Sequence, residues 1–453
     1  MEINTAIVAG TGKSGISATK LLVNHGVKVY LFDENKDRDI EAIKEKTSDS
    51  ELVQIELGEL GEDALSSSQL MVISPGIPVD APFTDVVRNA GIPIWSEIEL
   101  AYHYGKGKIA AITGTNGKTT TTALVGEIVK AHNAKTIVVG NIGIPYTELC
   151  DTTDDDSDTV AEISSFQLET VIDFHPNVSA ILNLTPDHLN RHYTFENYGN
   201  VKFSITKNQT MDDVTVLNYD DEHTRAMGEK AKDHCHVVYF SRLEKPAGGV
   251  YVEDGDIILE DGDKKINVLA IKDLKLMGAH NVENVLAAVG ISYYMGVPVD
   301  VIRDVATSFK AVAHRIEYVD TIDGVAYYND SKGTNPDAAI KGIQAMVAPT
   351  FLIGGGYDKG SEYDEWIEAF DGKVKWLVLI GQTAQKIADC AKRHGFNSII
   401  FEENLQDAVA YCHENAVDGD AVLLSPACAS WGQFDNYEQR GDMFKEYVRS
   451  YKE

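Results

Sequence analysis

Three successive α/β domains are predicted by three observations. Short β-branched runs alternate with helical segments, the alternation starts afresh twice, and the first two starts lead from a strand into glycine-rich sequence and a helix. TAIVAG, VKVYLFD, LMVISPG and IPIWSE read as strands ending in turns, and residues 14–25 fit a helix between the first two. The pattern restarts at KIAAIT, residues 108–113, and runs into the helical TTTALVGEIVKAH. It restarts again near Val325 with VAYYND, followed by TFLIGGG, KWLVLIG and AVLLSPA. The seams fall near residues 97 and 312, giving domains 1–97, 98–311 and 312–453. Two acidic stretches, DTTDDDSD at 151–158 and the hairpin-like EDGDIILEDGD at 253–263, read as surface loops. Neither has calcium-loop spacing with a closing Glu.

A chain of 453 residues exceeds what one core organises, and 43% hydrophobic residues suffice for several. The net charge of -30, from 70 acidic against 40 basic residues, disfavours nucleic acid and anionic membrane as partners. Small anions stay possible where helix N-termini and local cations gather them. The five Cys (150, 235, 390, 412 and 428) form no CxxC pair, so reduced thiols in a cytoplasmic protein are expected. The N-terminus enters a strand-like run at once, without the pattern of a signal peptide, and no stretch approaches the ~18 apolar residues of a membrane span.

GTNGKTT, Gly114 to Thr120, follows a strand and opens a helix. Gly114 and Gly117 let the N–H groups of Thr115, Asn116 and their neighbours turn inward, and the helix N-terminus adds a positive field. Lys118 then reaches terminal phosphates, Thr119 places a hydroxyl on Mg²⁺, and Thr120 continues the helix. A second glycine pattern, GTGKSG at 10–15, also follows a strand, and Asp33 ends the next one. Taken alone this is a dinucleotide fingerprint with the acid on a ribose hydroxyl, and NAD fits it. Glu162 ends TVAEIS, from where a carboxylate reaches a phosphate-bound Mg²⁺; an isolated strand-end Glu is otherwise a solvated charge. His188 lies in PDH, a turn, which suits a functional His or a surface one alike. Asn281 and Asn284 share a helix face, which fits adenine recognition by paired amide bonds or capping by Asn281.

GTNGKTT, EISSFQLE (162–169), TPDHLNRH (185–192), GAHNVENVLAA (278–288), AHR (313–315), NDSKGTNPDA (329–338) and SPACASWGQFDNYEQRGDMF (425–444) resemble, in order and spacing, the D-glutamate-adding branch of the Mur ligase superfamily. The resemblance runs across nearly the whole chain. It implies a Rossmann-like N-terminal domain, a central P-loop ATPase-like mixed sheet and a Rossmann-like C-terminal domain. It also implies a monomer that joins D-glutamate to UDP-N-acetylmuramoyl-L-alanine at the expense of ATP, with Mg²⁺ at two sites.

By this resemblance the GTGKSG geometry holds a UDP-sugar. Lys13, Ser14 and Gly15 cradle its phosphate, Asp33, Glu34 and Asn35 lie near uracil, and Ser74, Pro75 and Gly76 close the site. Asn141 contacts the sugar-linked part, and Ser164 also belongs to the UDP-substrate site. Thr119 and Glu162 serve one Mg²⁺, and His188 and Lys202 the other. A plain Lys offers only donors, so Lys202 must carry CO₂ as a carbamate to act as a ligand; its assignment rests on Tyr-x-x-x-Lys in YGNVKFSI. Asn281, Asn284, Arg315 and Asp330 are implied for ATP, Lys332 for the transferring phosphoryl group, and Thr334, Lys359, Ser430 and Tyr437 for D-glutamate. The implied course is phosphorylation of the substrate carboxylate, attack of the D-glutamate amine on the acyl phosphate, and collapse of a tetrahedral intermediate near His188 and Lys332, with domain closure excluding water. Three alternatives stand beside it. A sibling Mur or folylpolyglutamate ligase is disfavoured by SSFQLE and DSKGTN, an NAD oxidoreductase leaves GTNGKTT unexplained, and a noncatalytic scaffold has no use for Glu162, His188 and Lys202 together.

Overall fold

The structure, a computed structural model, describes residues 3–47, 50–141, 143–276, 278–310 and 313–452. The chain divides into two compact units, Met1–Asp273 with Glu283–Thr307 and Leu274–Val282 with Ser308–Glu453. They carry three α/β sheets, two in the first unit and one in the second, as the sequence predicts. The seam expected at 311/312 falls outside the described residues.

The first sheet comprises β1 (Thr5–Ala9), β2 (Lys28–Asp33), β3 (Val53–Leu57), β4 (Leu70–Ile73) and β5 (Ile94–Ser96). All pairs are parallel, in the order β3-β2-β1-β4-β5. Ala6 to Ala9 are fully buried, as a strand covered on both faces requires. The chain winds outward from β1 to one side and from β4 to the other, so a crevice opens beyond their carboxyl ends. Gly10 leaves β1 there and Ser74 leaves β4, with Ser74 N donating to Ala9 O at 3.0 Å. A Cβ on Gly15 would stand 1.8 Å from the backbone oxygen of Gly10, and one on Gly10 would stand 2.6 Å from Ser74 Oγ. The glycine pattern is therefore a packing requirement of the strand-to-helix turn. Gly15→Ala is expected to destabilise the protein by about 1–3 kcal/mol, measured by denaturant unfolding, because backbone must move. A change within about 0.5 kcal/mol would contradict this reading of the turn.

The second sheet has nine strands: β6 (Lys108–Thr113), β7 (Ile137–Gly140), β8 (Asp158–Glu162), β9 (Val178–Ile181), β10 (Val214–Asn218), β11 (His236–Ser241), β12 (Gly249–Glu253), β13 (Asp256–Asp261) and β14 (Lys264–Ala270). Their order is β14-β13-β12-β11-β10-β9-β6-β8-β7, parallel from β7 to β12 and antiparallel beyond. The acidic stretch at 253–263 is thus strand for most of its length, not loop. It turns at Asp254 and Gly255, both at positive φ, and buries Ile257, Ile258 and Leu259. Likewise Asp158 of the other acidic stretch already starts β8.

Helix Glu97–Tyr104 joins these two sheets. Ser96 Oγ caps it by accepting from Glu99 N. Both of its first carboxylates are buried and paired across the junction. Glu97 accepts from Thr147 N, Thr147 Oγ1 and Gln167 Nε2, and Glu99 from the backbone N–H groups of Ile172, Asp173 and Phe174. One core runs from Ala6 and Leu31 through Trp95 and Tyr146 to Ala161 and Tyr198.

The second unit holds β15 (Glu317–Ile322), β16 (Val325–Asn329), β17 (Thr350–Gly354), β18 (Val374–Leu379), β19 (Ile399–Phe401) and β20 (Ala421–Leu424). The order is β15-β16-β20-β17-β18-β19, with only β15 antiparallel, and separate clusters of apolar side chains cover the sheet. Among the described residues no helix is long and apolar enough to cross a membrane.

Candidate active site

The centre of the first unit's site is the loop between β6 and helix Lys118–His132. Gly114 and Gly117 sit at φ 147° and 84°. A Cβ on Gly114 would press on Leu182, and one on Gly117 would stand 2.3 Å from Asn284 Oδ1. Lys118 Nζ donates to Gly114 O at 2.8 Å and Thr115 O at 2.9 Å, so the ammonium lies over the loop. Asn183, just after β9, accepts from Asn116 N and donates to Asn116 O. Thr115 Oγ1 lies 3.1 Å from Tyr198 OH and donates to Thr185 O. Asn183 and Tyr198 thus fix the loop. Sequence reasoning missed both; the Tyr-x-x-x-Lys spacing held the only hint of Tyr198.

Glu162 ends β8 opposite Ile112 of β6. Its Oε1 accepts from Asn141 Nδ2 at 3.0 Å, and its buried Oε2 has no hydrogen-bond partner among the described residues. A carboxylate oxygen does not stay buried and unpaired without cost. Thr119, at the start of the helix that follows the loop, is also buried; a hydroxyl and an unpaired carboxylate oxygen are each hard oxygen donors of the kind Mg²⁺ takes.

Lys202, on helix Phe195–Phe203, is 1% exposed. Its Nζ donates to Gly114 O at 2.9 Å and Thr113 Oγ1 at 3.3 Å and stands over the Tyr198 ring. Burial, helped by the charge of Lys118, pushes the amine well below the usual lysine range. His188 adopts φ 52° and packs edge-on against Phe166. Burial, with Lys118, Lys202 and Arg191, lowers its imidazole, against the pull of Asp187.

The crevice of the first sheet gathers the other group of sequence-selected residues. Lys13 and Ser14 open helix Lys13–Asn24 with Gly15, and Lys13 Nζ donates to Gly143 O. Asp33 is buried. Its Oδ2 accepts from Thr11 N at 3.1 Å, Thr11 Oγ1 at 2.6 Å and Arg38 Nε at 3.2 Å, and its Oδ1 accepts from Asn35 N. Burial raises this carboxyl, but the Thr11 and Asn35 bonds and Arg38 outweigh it and hold it below its ordinary value. Asp33 therefore braces the glycine turn, while Glu34 and Asn35 are exposed beside it. Ser74 Oγ is buried without a partner among the described residues, next to Pro75 and Gly76. Ser164 caps helix Ser165–Leu168 in a reciprocal box with Gln167.

Asn284 packs in this unit against the loop, with its Oδ1 accepting from Thr121 Oγ1 at 3.3 Å. Asn281 lies in the second unit, inside the first turn of helix Ala279–Tyr294 and not at its cap.

In the second unit, Arg315 sits between His314 and Ile316, both at positive φ, and its buried Nε has no acceptor among the described residues. Asp330 follows β16 and accepts from Ser425 Oγ at 2.7 Å and Ile316 N. Burial pushes its carboxyl up to about 7, against Ser425, Arg315 and Arg440. The folded form thus favours the proton. The stabilisation is complete below the ordinary value of 3.8 and is lost as pH rises through about 7. Thermal unfolding should show the protein less stable at about pH 8.5 than at about pH 5, with a shallower dependence in Asp330→Asn. Equal dependences in the two proteins would contradict the assignment.

Lys332 Nζ stands 5.5 Å from the centre of the Tyr437 ring, and Thr334 N donates back to Lys332 O. Lys359 Nζ stands 4.7 Å from the Trp431 ring, beside the buried Ser430. Arg440, which sequence reasoning missed, is 1% exposed and ties Ser331 to Cys428 O, holding these loops together.

Family profiles match along the chain: "Mur ligase MurD-like, N-terminal domain" at 4–96, "Mur ligase middle domain" at 112–292 and "Mur ligase, glutamate ligase domain" at 314–428. A UDP-N-acetylmuramoylalanine--D-glutamate ligase of Lachnospira eligens is 55% identical over 450 residues, 99% of each chain. Among solved structures, the UDP-N-acetylmuramate-alanine ligase MurC of Thermotoga maritima matches with TM-score 0.61 at 19% identity, over 99% of this chain and 100% of that one. MurF ligase of Thermotoga maritima, in complex with ADP, matches with TM-score 0.60 at 17% identity, over 98% and 95%. At these identities the two structures speak for the fold.

Proposed function

The chain belongs to the Mur ligase family, and from that premise we propose that it joins D-glutamate to UDP-N-acetylmuramoyl-L-alanine with cleavage of ATP to ADP and phosphate, a step of peptidoglycan precursor synthesis. The observation that carries the reading is the 55% identity over 99% of both chains with a ligase of that name. The site supports it with a phosphate loop flanked by an orphaned carboxylate oxygen and a buried amine.

A carboxylate is a poor electrophile, so ATP must activate it. The loop N–H groups and Lys118 hold the terminal phosphates and offset charge on the transferring phosphoryl group. Thr119 and Glu162 would hold a Mg²⁺, which supplies positive charge at the phosphate oxygens. A second Mg²⁺ would take His188 and a carbamate on Lys202. The lowered Lys202 amine supports this: a neutral amine attacks CO₂ and an ammonium does not. The crevice at Gly15 and Ser74 holds the UDP moiety, and Asn141 and Ser164 hold the sugar-linked part. Arg315 and Asp330 meet ATP, and Lys332 the phosphoryl group. Thr334, Lys359, Ser430 and Tyr437 receive D-glutamate, whose amine displaces phosphate from the acyl phosphate. The buried free cysteines accord with a cytoplasmic setting.

Substrate carrying ¹⁸O in the alanyl carboxylate tests the course. One labelled oxygen should pass into the released phosphate. Unlabelled phosphate would exclude an acyl phosphate.

A further inference from the structure

Arg191 joins the two sheets of the first unit at the point where their sites meet. It lies three residues past His188 in helix Leu189–His192, a single turn too short to hold itself. The turn is bracketed by His188 at φ 52° and Tyr193 at φ 66°, conformations that non-glycine residues keep only when their surroundings impose them. The Arg191 side chain is 10% exposed. On one side its Nε and Nη2 donate to the two oxygens of Glu169, whose side chain is 7% exposed, and its guanidinium lies over Phe166 at 4.6 Å. On the other side Nη1 donates to Pro75 O at 3.3 Å and Nη2 to Ile77 O at 2.8 Å. Those two carbonyls belong to the loop leaving β4, at the crevice of the first sheet. Phe166 packs against both Arg191 and His188. A second link between the segments, Tyr193 OH to Asp80, is exposed to solvent.

From this arrangement we infer that Arg191 is a positioning residue that locks the 75–77 loop of the UDP-substrate crevice to the His188 turn beside the phosphate loop. The planar fork is what makes the lock: it grips a carboxylate with one edge and two carbonyls with the other, which an ammonium cannot do. The consequence rests on the functional reading above. The UDP substrate and the His188 turn are held in one register, so loosening the lock weakens the UDP substrate and slows turnover together, while ATP affinity is spared.

Hydrogen exchange tests the lock itself, whatever the reaction. In Arg191→Lys and Arg191→Gln, peptides covering 74–82 and 186–196 should both exchange about tenfold faster or more, with the phosphate loop at 113–122 unchanged, because buried charge-assisted bonds are lost. Tyr193→Phe should leave both within about twofold, its link being exposed. Faster exchange at 186–196 alone, or across the whole unit, would overturn the lock. Kinetics then test the consequence. Wild-type turnover establishes the functional reading. Arg191→Lys should raise KM for the UDP substrate about tenfold and lower kcat, with KM for ATP within about twofold of wild type. Equal changes in both KM values, or none, would overturn the positioning role. Wild type without turnover would strike the functional reading and leave the exchange result to decide the lock.

Discussion

Lys118→Ala is expected to lower kcat/KM by about 10³-fold or more while the chain stays folded, because in the proposed reaction it removes the cation that offsets developing phosphoryl charge. Lys118 Nζ donates to Gly114 O and Thr115 O, and its position at the head of helix Lys118–His132 is fixed by backbone. The helix itself is held by the buried Leu124, Val125, Ile128 and Val129. Circular dichroism should therefore match wild type. Steady-state kinetics and phosphate release check the loss, and a fall under about tenfold would remove Lys118 from the mechanism.

The strand-to-helix loop at 114–120 was legible because its pattern is local. Two glycines at positive φ, a lysine and a threonine act within one turn, and strand and helix lie on either side. The α/β alternation around β1 was likewise written in the runs and glycine turns, whereas the order of its strands was not. The glycine pattern at 10–15 was legible as a turn, and Asp33 turned out to brace it by accepting from Thr11 and Arg38. What was hidden depends on contacts far apart in the chain. Asn183 meets Asn116 across 67 positions, and Arg440 meets Ser331 across 109. No periodicity announces such pairs. In the acidic stretch at 253–263 the charge suggests a loop and conceals the strand residues Ile257, Ile258 and Leu259, which are buried. Lys202 has the weakest local signature and the strongest environment: only burial beside Thr113, Gly114 and Tyr198 separates it from a surface lysine.

That burial makes Lys202→Arg the second large effect. Lysine here is pushed well below its usual range, so a neutral amine is accessible. A guanidinium keeps its charge in any such site and cannot add CO₂. Turnover in Lys202→Arg should fall by about 10³-fold or more, the scale on which loss of a charge-stabilising group is felt. The wild-type enzyme depleted of CO₂ should lose activity and regain it on addition of bicarbonate. With ¹³C-bicarbonate a carbamate resonance should appear in wild type and be missing in the variant. A fully active Lys202→Arg, or wild type indifferent to CO₂, would show that the amine serves only the loop.

Two properties define the proposed reaction: the identity of the amino acid and the coupling of its addition to ATP. The direct measurement is phosphate release from ATP with UDP-N-acetylmuramoyl-L-alanine and Mg²⁺, offering D-glutamate, L-glutamate, meso-diaminopimelate and L-lysine in turn. Release with D-glutamate alone is the expected result. Turnover with one of the others in its place would keep the ligase chemistry and contradict the assigned substrate, and none with any of the four would contradict the reaction itself.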